Sequence, residues 1–517
     1  MDKALEKIIL KARDGQVSDE ETLLILIKDT LRGQNLSAFP SNIILRKTYR
    51  AMVKAGKIDP DKGLENLLVT KKMRSLSGVA VITVLTKPWP CPGECLYCPT
   101  QVDVPKSYLS SEPAVMRAIL CDYDPYKQVR ARLNSLEIEG HPTDKVELIV
   151  IGGTFSALPK DYQQEYIKRC FDALNNSVDK DLDDAKNKNE TAKNRCVGLT
   201  LETRPDYITK EEVEWFRYLG ATRVELGVQS VFDDVLKFNK RGHDVASTAR
   251  ATKLLKDAGF KICYHMMPNL PGSNLEKDIE MFKIIFTDPR FQPDYIKIYP
   301  CVVTKGSELY DMWKAGEYKP YSDKELEDLI CEIKKVVPYY VRIMRLIRDI
   351  PSSDIEAGSK VSNMRQNVQR RLEKEGEKCK CIRCREVSNR VTAFGIKLFK
   401  EEYEASGGKE VFLSYESEDR VVLYSLLRLR LTKDTFISEI KDCALIRELH
   451  TYGQQIKIGK SGDTQHKGLG KKLISEAEDI ARKDGYKKIA VISGVGVRDY
   501  YRKFGYGLKG EYMVKSI

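Results

Sequence analysis

The sequence lacks any apolar run near the ~20 residues that a membrane-spanning helix needs. Its most apolar stretch is Leu148–Leu158. The first residues, Met1–Asp14, carry charges throughout and have no apolar core of the kind found in signal peptides. These absences argue against a membrane protein or a secreted protein. They predict a cytoplasmic chain with no membrane partner.

Acidic residues are in the minority. The 517 residues include 87 Lys and Arg against 75 Asp and Glu, a net charge of +12. Two segments concentrate the excess: residues 31–80 hold ten basic residues against three acids, and residues 341–390 hold thirteen against seven. A basic excess favours a polyanionic partner such as nucleic acid. With 42% hydrophobic residues the chain is not mostly disordered, and its length suggests about three or four domains.

The hydrophobic pattern divides the chain into four segments. Residues 1–75 have Leu and Ile at three- and four-residue steps and predict a helical, basic region of the kind that binds nucleic acid. Residues 76–345 alternate strands with helices, which predicts a parallel sheet, either a barrel or a doubly wound sheet. Residues 346–390 form a basic linker and residues 391–517 a second α/β domain. Within the first sheet, polar Asp179–Arg195 is predicted to be an exposed loop.

Six apolar runs are predicted strands of the first sheet: Val79–Leu85, Val146–Ile151, Val197–Leu201, Arg223–Val228, Lys261–Met266 and Tyr295–Tyr299. Four helices are predicted between them: Asp161–Leu174, Lys210–Leu219, Val245–Ala258 and Leu275–Phe286.

The first of two cysteine groups, Cys91, Cys95 and Cys98, has the spacing CxxxCxxC. Three thiolates at this spacing can hold three irons of a [4Fe–4S] cluster and leave the fourth iron open. A structural zinc would need a fourth protein ligand, and none lies close in sequence. The alternatives are a zinc knuckle or chance spacing.

The motif at the end of the first predicted strand resembles that of the radical S-adenosylmethionine (SAM) superfamily. The resemblance implies that SAM binds the open iron and is cleaved to a 5′-deoxyadenosyl radical. It also implies SAM contacts for Gly152 and Gly153 after the second strand. Glu202 and Gln229, at the ends of later strands, are further candidate contacts. Each of these polar residues could instead be a helix cap.

The second cysteine group is Cys379, Cys381 and Cys384, spaced CxCxxC within a basic segment. Three thiolates within six residues predict a structural zinc that joins two domains, with Cys301 or Cys331 as candidate fourth ligand. Free thiols and a second redox cluster are the alternatives.

Near the C-terminus, Gln465, Gly468 and Gly470 form a glycine-rich loop before a predicted helix that begins near Lys471. Exposed amides at a helix start bind pyrophosphate well. The segment resembles the GNAT acetyltransferase fold, which implies binding of acetyl-CoA by the loop and by the strand before it. The residues assigned to acetyl-CoA on this basis are Glu448, Leu449, His450, Thr451, Gln465, Gly468, Leu469, Gly470 and Lys471. Tyr501, or its neighbour Tyr500, is the candidate proton donor to the leaving CoA sulfur.

A radical SAM motif followed by a GNAT motif is similar to the family of Elongator catalytic subunits. Collinear blocks carry the resemblance, among them Glu202–Asp206, Glu225–Ser230 and Glu448–His450. It implies a partial TIM-like barrel followed by a GNAT domain. It also implies formation of 5-carboxymethyluridine at tRNA uridine 34 from acetyl-CoA by SAM radical chemistry, with the anticodon loop as partner. Lys145 is the implied further contact to acetyl-CoA, and other Elongator-type subunits or a second copy are possible partners.

Two other functions fit parts of the sequence. GNAT folds often acetylate amines, so the chain could be a protein lysine acetyltransferase whose iron–sulfur domain is regulatory. A non-catalytic RNA-binding scaffold is the third possibility. The intact CxxxCxxC motif and the intact glycine-rich loop argue against these two alternatives respectively.

Overall fold

A computed structural model describes residues 2–17, 19–33, 39–69, 78–387, 395–453 and 468–517. Its elements form a helical N-terminal unit, a parallel half-barrel and a mixed second sheet. The predicted fold class is therefore confirmed. No helix within the described ranges is both long enough and apolar enough to span a membrane.

The N-terminal unit consists of helices α1 (Asp2–Lys11), α2 (Glu20–Arg32), α3 (Asn42–Lys54) and α4 (Lys62–Leu67). The Leu and Ile residues that gave the periodic pattern pack into one small core. Arg46 of α3 lies inside this unit and donates to the backbone oxygen of Glu65 at 2.9 Å. Arg46 is therefore not part of the exposed basic surface, although it contributes to the charge of the segment.

Seven strands form the first sheet, in chain order and all parallel, as expected for a half-barrel. They are β1 (Ala80–Leu85), β2 (Lys145–Ile151), β3 (Arg195–Thr203), β4 (Arg223–Gln229), β5 (Lys261–Met266), β6 (Tyr295–Ile298) and β7 (Arg342–Arg345). The six predicted strands all appear. Strand β7 was not predicted, because four residues with two arginines give no apolar run.

The helices that cover and extend this sheet are α5 (Pro113–Leu120), α6 (Pro125–Glu139), α7 (Lys160–Asn175), α8 (Leu182–Asn189), α9 (Lys210–Tyr218), α10 (Asp233–Phe238), α11 (Val245–Asp257), α12 (Leu275–Thr287), α13 (Glu308–Lys314) and α14 (Asp323–Val336). The four predicted helices are confirmed within two residues at each end.

The prediction of an exposed loop at Asp179–Arg195 was wrong. The segment contains α8, and Lys186 on this helix is 2% exposed. The Lys186 ammonium donates to the Tyr218 backbone oxygen at 2.8 Å and to Glu511 near the C-terminus at 2.7 Å. The charges of this segment are paired across the boundary between the two sheets, so its polarity did not indicate exposure to water.

The second sheet follows the short helices α15 (Met364–Lys374) and α16 (Ile382–Arg385). Its strand order is β13-β14-β12-β11-β10-β9-β8, and only β11 and β12 are parallel neighbours. The elements are β8 (Ile396–Ala405), β9 (Gly408–Ser417), β10 (Leu423–Leu431), β11 (Cys443–Thr451), α17 (Leu469–Lys483), β12 (Lys488–Val491), α18 (Arg498–Arg502), β13 (Gly507–Lys509) and β14 (Tyr512–Ser516).

The second sheet packs against the amino-terminal ends of the barrel strands. Gly494, which follows β12, lies so close to β3 that a Cβ atom there would be 2.2 Å from the Val197 oxygen. Arg447 of β11 donates to the Asp294 carboxylate, at 2.9 Å for one of the two bonds, and both side chains are fully buried. Close backbone approach and buried ion pairs thus fix how the two sheets meet.

Candidate functional site

The carboxyl end of the barrel carries the first cysteine group. Cys91, Cys95 and Cys98 lie on the loop after β1, with Cys91 exposed and Cys95 buried. Their three sulfur atoms do not all lie within 4.8 Å of one another. A tetrahedral zinc site holds its sulfurs only about 3.8 Å apart. Three thiols on one loop whose sulfurs do not form one compact group fit the three bound irons of a [4Fe–4S] cluster better than they fit zinc.

A buried arginine supports this loop. Arg241 donates to the Cys95 sulfur at 3.1 Å and to the Gly227 backbone oxygen at 2.6 Å. A hydrogen bond from Cys98 and the Arg241 charge lower the pKa of Cys95 to about 5. The loop therefore favours thiolate at Cys95, which is the form that binds a metal.

The predicted SAM contacts all lie at this same end of the barrel. Gly152 and Gly153 follow β2 with φ of 140° and 94°, and a Cβ on Gly152 would be 2.0 Å from the Thr86 hydroxyl. Glu202 lies near the end of β3 and Gln229 ends β4. The sequence thus correctly placed these four residues at one edge, because parallel strands end together.

The barrel interior contains a set of ion-paired side chains that sequence reasoning did not identify as a unit. Glu225 contacts Lys297, and its carboxylate accepts a hydrogen bond from His265 Nε2 at 2.8 Å. Toward the amino end of the barrel, Arg223 lies 3.8 Å from Glu225. Toward the carboxyl end, Glu202 lies 3.6 Å from His265. We call these residues the charged column. It runs between the two ends of a barrel whose interior is usually filled by branched apolar residues.

A signal for the charged column is present in the sequence. Charged residues occupy alternate positions of the predicted strands, such as Arg223 and Glu225 in β4. Alternate positions of a strand share one face. In a predicted barrel this pattern indicates charges that point inward.

The opposite end of the barrel forms an interdomain cavity of 560 Å³ with the second sheet. We call the first residues of the barrel strands that line it the floor of the barrel: Lys145, Arg223, Lys261, Tyr295 and Arg342. The second domain contributes the candidate proton donors Tyr500 and Tyr501 and the residues predicted to bind acetyl-CoA: Glu448, Leu449, His450, Thr451, Gly468, Leu469, Gly470 and Lys471. Gln465 lies outside the described residues.

Two backbone features of this cavity suit a CoA-like ligand. Gly468 has φ of 80° and precedes α17 without a side-chain cap, which leaves first-turn amides free for an anion. Strand β11 pairs with β12 only over Cys443–Ile446. The parallel pairing therefore stops before Glu448, and the last residues of β11, Glu448–Thr451, line the cavity.

Side chains in the cavity have strongly shifted pKa values. Burial raises the pKa of Glu448, but the charges of Arg428 and Lys261 outweigh burial and lower it to about 2. Burial raises the pKa of Tyr500 to about 12, and it raises that of Tyr501 further. The carboxylate is thus held ionised and both phenols are held protonated.

Tyr501 is also a core residue. It is 5% exposed and packs with Tyr506, while its ring lines the cavity. The Tyr500 hydroxyl lies next to Gly470, where a Cβ would be 2.7 Å away. Neither hydroxyl has a hydrogen-bond partner among the described residues.

The second cysteine group lies between the two sheets. The sulfurs of Cys379, Cys381 and Cys384 lie within 4.8 Å of one another, but no other Cys, His, Asp or Glu of the described ranges joins them. The suggestion that Cys301 or Cys331 completes the site is therefore not supported. The Lys334 ammonium lies 3.5 Å from the Cys384 sulfur.

The segment that carries these cysteines touches both domains. The Ile382 amide donates to the Val341 oxygen beside β7 at 2.9 Å, and the Val387 amide donates to the Leu423 oxygen of β10 at 2.9 Å. This position agrees with the predicted role at the joint between domains.

The fold and both sites define a radical SAM half-barrel joined to a GNAT-type acetyltransferase domain. The chain matches the Radical SAM superfamily over residues 91–285, a Radical_SAM C-terminal domain over residues 293–374 and the Acetyltransferase (GNAT) family over residues 443–506.

Close relatives cover almost the whole chain. The tRNA uridine(34) acetyltransferase of Methanocaldococcus infernus is 46% identical over 99% of this chain and 98% of its own length. That of Dehalococcoides mccartyi is 49% identical, covering 86% and 99%. Human Elongator complex protein 3 is 42% identical, covering 87% and 86%. The chain belongs to the family of tRNA uridine(34) acetyltransferases that includes Elongator complex protein 3.

A solved structure agrees with this assignment. Archaeal Methanocaldococcus infernus Elp3 with an N-terminus deletion (1–46) superposes with a TM-score of 0.77 at 46% identity, covering 86% of this chain and all of that one.

Proposed function

We propose that this chain modifies uridine 34 of tRNA to 5-carboxymethyluridine, with acetyl-CoA as carbon donor and SAM as radical source. The observation that carries the proposal is the position of two sites at the two ends of one barrel, three thiols on one loop at one end and an interdomain cavity at the other. The names of its close relatives support the substrate.

In this proposal a [4Fe–4S] cluster with bound SAM supplies the 5′-deoxyadenosyl radical. Cys91, Cys95 and Cys98 hold the cluster. Gly152, Gly153, Glu202 and Gln229 contact SAM. The support is that all these residues share the carboxyl end of the barrel and that the thiols lack a fourth protein ligand within the described part of the chain.

The interdomain cavity binds acetyl-CoA in this proposal. The start of α17, from Gly468 to Lys471, binds the pyrophosphate, and the residues Glu448–Thr451 of β11, which line the cavity, contact the pantetheine arm. Tyr501 donates a proton to the CoA sulfur, with Tyr500 as the alternative donor. The raised pKa values support donors that remain protonated at neutral pH.

The cavity argues against the alternative of a protein lysine acetyltransferase. Acetylation of an amine is helped by a base that can take its proton. Glu448, the carboxylate beside Tyr501, has its pKa lowered to about 2 and already accepts from Arg428 at 2.7 Å.

A basic stripe on the N-terminal unit is the proposed contact to tRNA. Lys47, Arg50 and Lys54 are exposed on α3, three and four residues apart, so they share one face. Replacing all three with Ala should make the slope of log K against log salt shallower by about one unit for each phosphate that the protein no longer neutralises. Arg46, which is buried on the same helix, marks the face that cannot contact tRNA.

We also propose that Cys379, Cys381 and Cys384 hold one structural zinc at the joint between the domains. The closely spaced sulfurs support it. We further propose domain boundaries at 1–75, 76–345, 346–390 and 391–517, since residue 345 ends β7. Elemental analysis of protein never exposed to chelator tests the zinc; protein without zinc would overturn it.

The decisive experiment for the reaction is anaerobic. Protein reconstituted with iron and sulfide is incubated with reductant, SAM, acetyl-CoA and a tRNA transcript that has uridine 34, and the nucleosides are analysed by mass spectrometry. A transcript with cytidine 34 is the matched control. We expect 5-carboxymethyluridine only from the first; its absence in the presence of measurable SAM cleavage would refute the proposal. Light scattering of the same preparation tests for a homodimer.

A further inference from the structure

Lys261 is a cation in the interdomain cavity that has no hydrogen-bond or ion-pair partner among the residues that the structure describes. It begins β5 on the floor of the barrel and lines the cavity together with Glu448 and Tyr501. Its side chain makes no hydrogen bond and no ion pair with any residue of the described ranges. The other floor cations differ: Arg223 pairs with Glu147, and Arg342 pairs with Glu386 at 2.6 Å.

Glu448 cannot accept a hydrogen bond from Lys261 without giving up one that it already accepts. One oxygen of Glu448 accepts from the Tyr295 hydroxyl, and the other accepts from Arg428 at 2.7 Å. Glu448 still acts on Lys261 through its charge, but beyond the 4.0 Å of an ion pair. Burial meanwhile lowers the pKa of Lys261. The Lys261 side chain is half-buried and its amino group faces the cavity, so a ligand with an acceptor atom can take the hydrogen bond that no described residue accepts.

The position of Lys261 points to the acyl end of the ligand. Lys261, Glu448 and Tyr501 line the same cavity, and the charge of Glu448 acts on both of the other side chains. The phosphate-binding amides lie elsewhere, at the start of α17. A CoA thioester has one acceptor at its acyl end that free CoA lacks, the carbonyl oxygen.

We propose that the Lys261 amino group donates a hydrogen bond to the carbonyl oxygen of the thioester and thereby selects acetyl-CoA over CoA. The inference rests on the proposed function, because it takes acetyl-CoA as the cavity's ligand. Polarisation of the carbonyl by Lys261 makes its carbon more electrophilic and its methyl hydrogens more acidic, and it favours the negative charge that develops on oxygen during hydrolysis. Lys261 is then a catalytic residue that touches substrate.

Affinity for two ligands separates this role from phosphate binding. Titration calorimetry measures acetyl-CoA and CoA on the full, metal-loaded chain and on Lys261→Met, which keeps the length of the side chain. We expect acetyl-CoA affinity to fall about tenfold or more, as for removal of a charge-assisted hydrogen bond, and CoA affinity to change less than about twofold. Lys283→Met, on the exposed face of α12, is the matched control and should change neither.

An infrared measurement gives a readout that a structural role would not move. The carbonyl stretch of acetyl-CoA labelled with ¹³C at C1 should shift to lower frequency when it binds the wild-type protein, and return toward its solution value in Lys261→Met. Lys261→Gln, which keeps a weaker donor, should give an intermediate frequency. The wild-type measurement stands by itself if a variant fails to fold.

The outcomes distinguish the two claims. Equal loss of acetyl-CoA and CoA affinity would assign Lys261 to the phosphates and overturn the inference while the proposed function stands. Unchanged affinities, or an unshifted carbonyl in the wild type, would also overturn the inference alone. Wild-type protein that binds neither ligand would overturn both.

Discussion

At the carboxyl end of the barrel, Cys91, Cys95 and Cys98 come from one loop within eight residues of sequence. At the amino end, the floor of the barrel draws Lys145, Arg223, Lys261, Tyr295 and Arg342 from five strands, and a second domain completes the cavity. A site built from one loop can be seen in the sequence as a motif. A site built from strand starts can be seen only after the strands are assembled.

The two ends of the barrel also differ in what lies next to them. Enzymes with related barrels place their sites at the carboxyl ends of the strands, where the loops are free to vary. Here the amino ends face the GNAT-type sheet, and the charged column lies between the two ends. The comparison suggests that each end can be disabled without the other, and four predictions test this.

The largest expected effect is at the cysteine loop. Cys95→Ala should abolish the iron and sulfide content and the visible absorbance after reconstitution. Only two thiols would remain, and two irons of the cluster would then have no protein ligand. Acetyl-CoA affinity, measured by calorimetry on the same preparation, should stay within about twofold. Cys443→Ala, which removes a buried thiol at the start of β11, should keep both. Full iron and sulfide in Cys95→Ala would contradict the assignment.

The next effect is at the cavity. Tyr501→Phe removes only a hydroxyl, so packing with Tyr506 is preserved. We expect tRNA-stimulated acetyl-CoA hydrolysis to fall by about 100-fold, a size typical of removing a donor to developing charge. Iron content and reductive SAM cleavage should be unchanged. Tyr500→Phe is the matched variant; a larger loss there would move the donor role to Tyr500.

The third effect is a pH dependence of stability at the amino end. The folded pKa of Glu448, about 2, is below the ~4.3 of an unfolded Glu, so its carboxylate stabilises the fold above pH ~4.3 and loses this effect as pH falls toward 2. The difference at neutral pH is on the order of 3 kcal/mol. Urea unfolding of wild type and Glu448→Gln should differ by a constant amount above about pH 4.3 and converge as the pH falls toward about 2. A difference that grows on acidification would be the wrong sign.

The smallest effect concerns the packing between the sheets. Gly494→Ala would place a Cβ 2.2 Å from the Val197 oxygen, which should lower the free energy of unfolding by about 1–3 kcal/mol. Gly507→Ala, on the edge strand β13 with no atom within 4 Å of the new Cβ, should change it little. Equal melting temperatures for the two variants would show that the domains do not meet as described.

Much of the fold could be predicted because the barrel strands are continuous apolar runs. Lys261–Met266 was predicted with both ends correct, and Val146–Ile151 differed by one residue. The segment Asp179–Arg195 could not be predicted, since Lys186 and Glu190 are polar and their partners, Glu511 and Arg498, lie more than 300 residues away in sequence. Charged residues paired over such distances look in sequence like residues exposed to water.

The sequence by itself determined the two chemistries. Cysteines three to four residues apart can reach a single cluster, and Gly468 and Gly470 before a helix expose amides for an anion, because such geometry depends only on the local chain. Tertiary structure alone decided that Lys145 and Lys261 line one cavity with Glu448 and Tyr501. Parallel strands bring their first residues to one end, but which domain covers that end depends on contacts between surfaces distant in sequence, such as Gly494 against Val197.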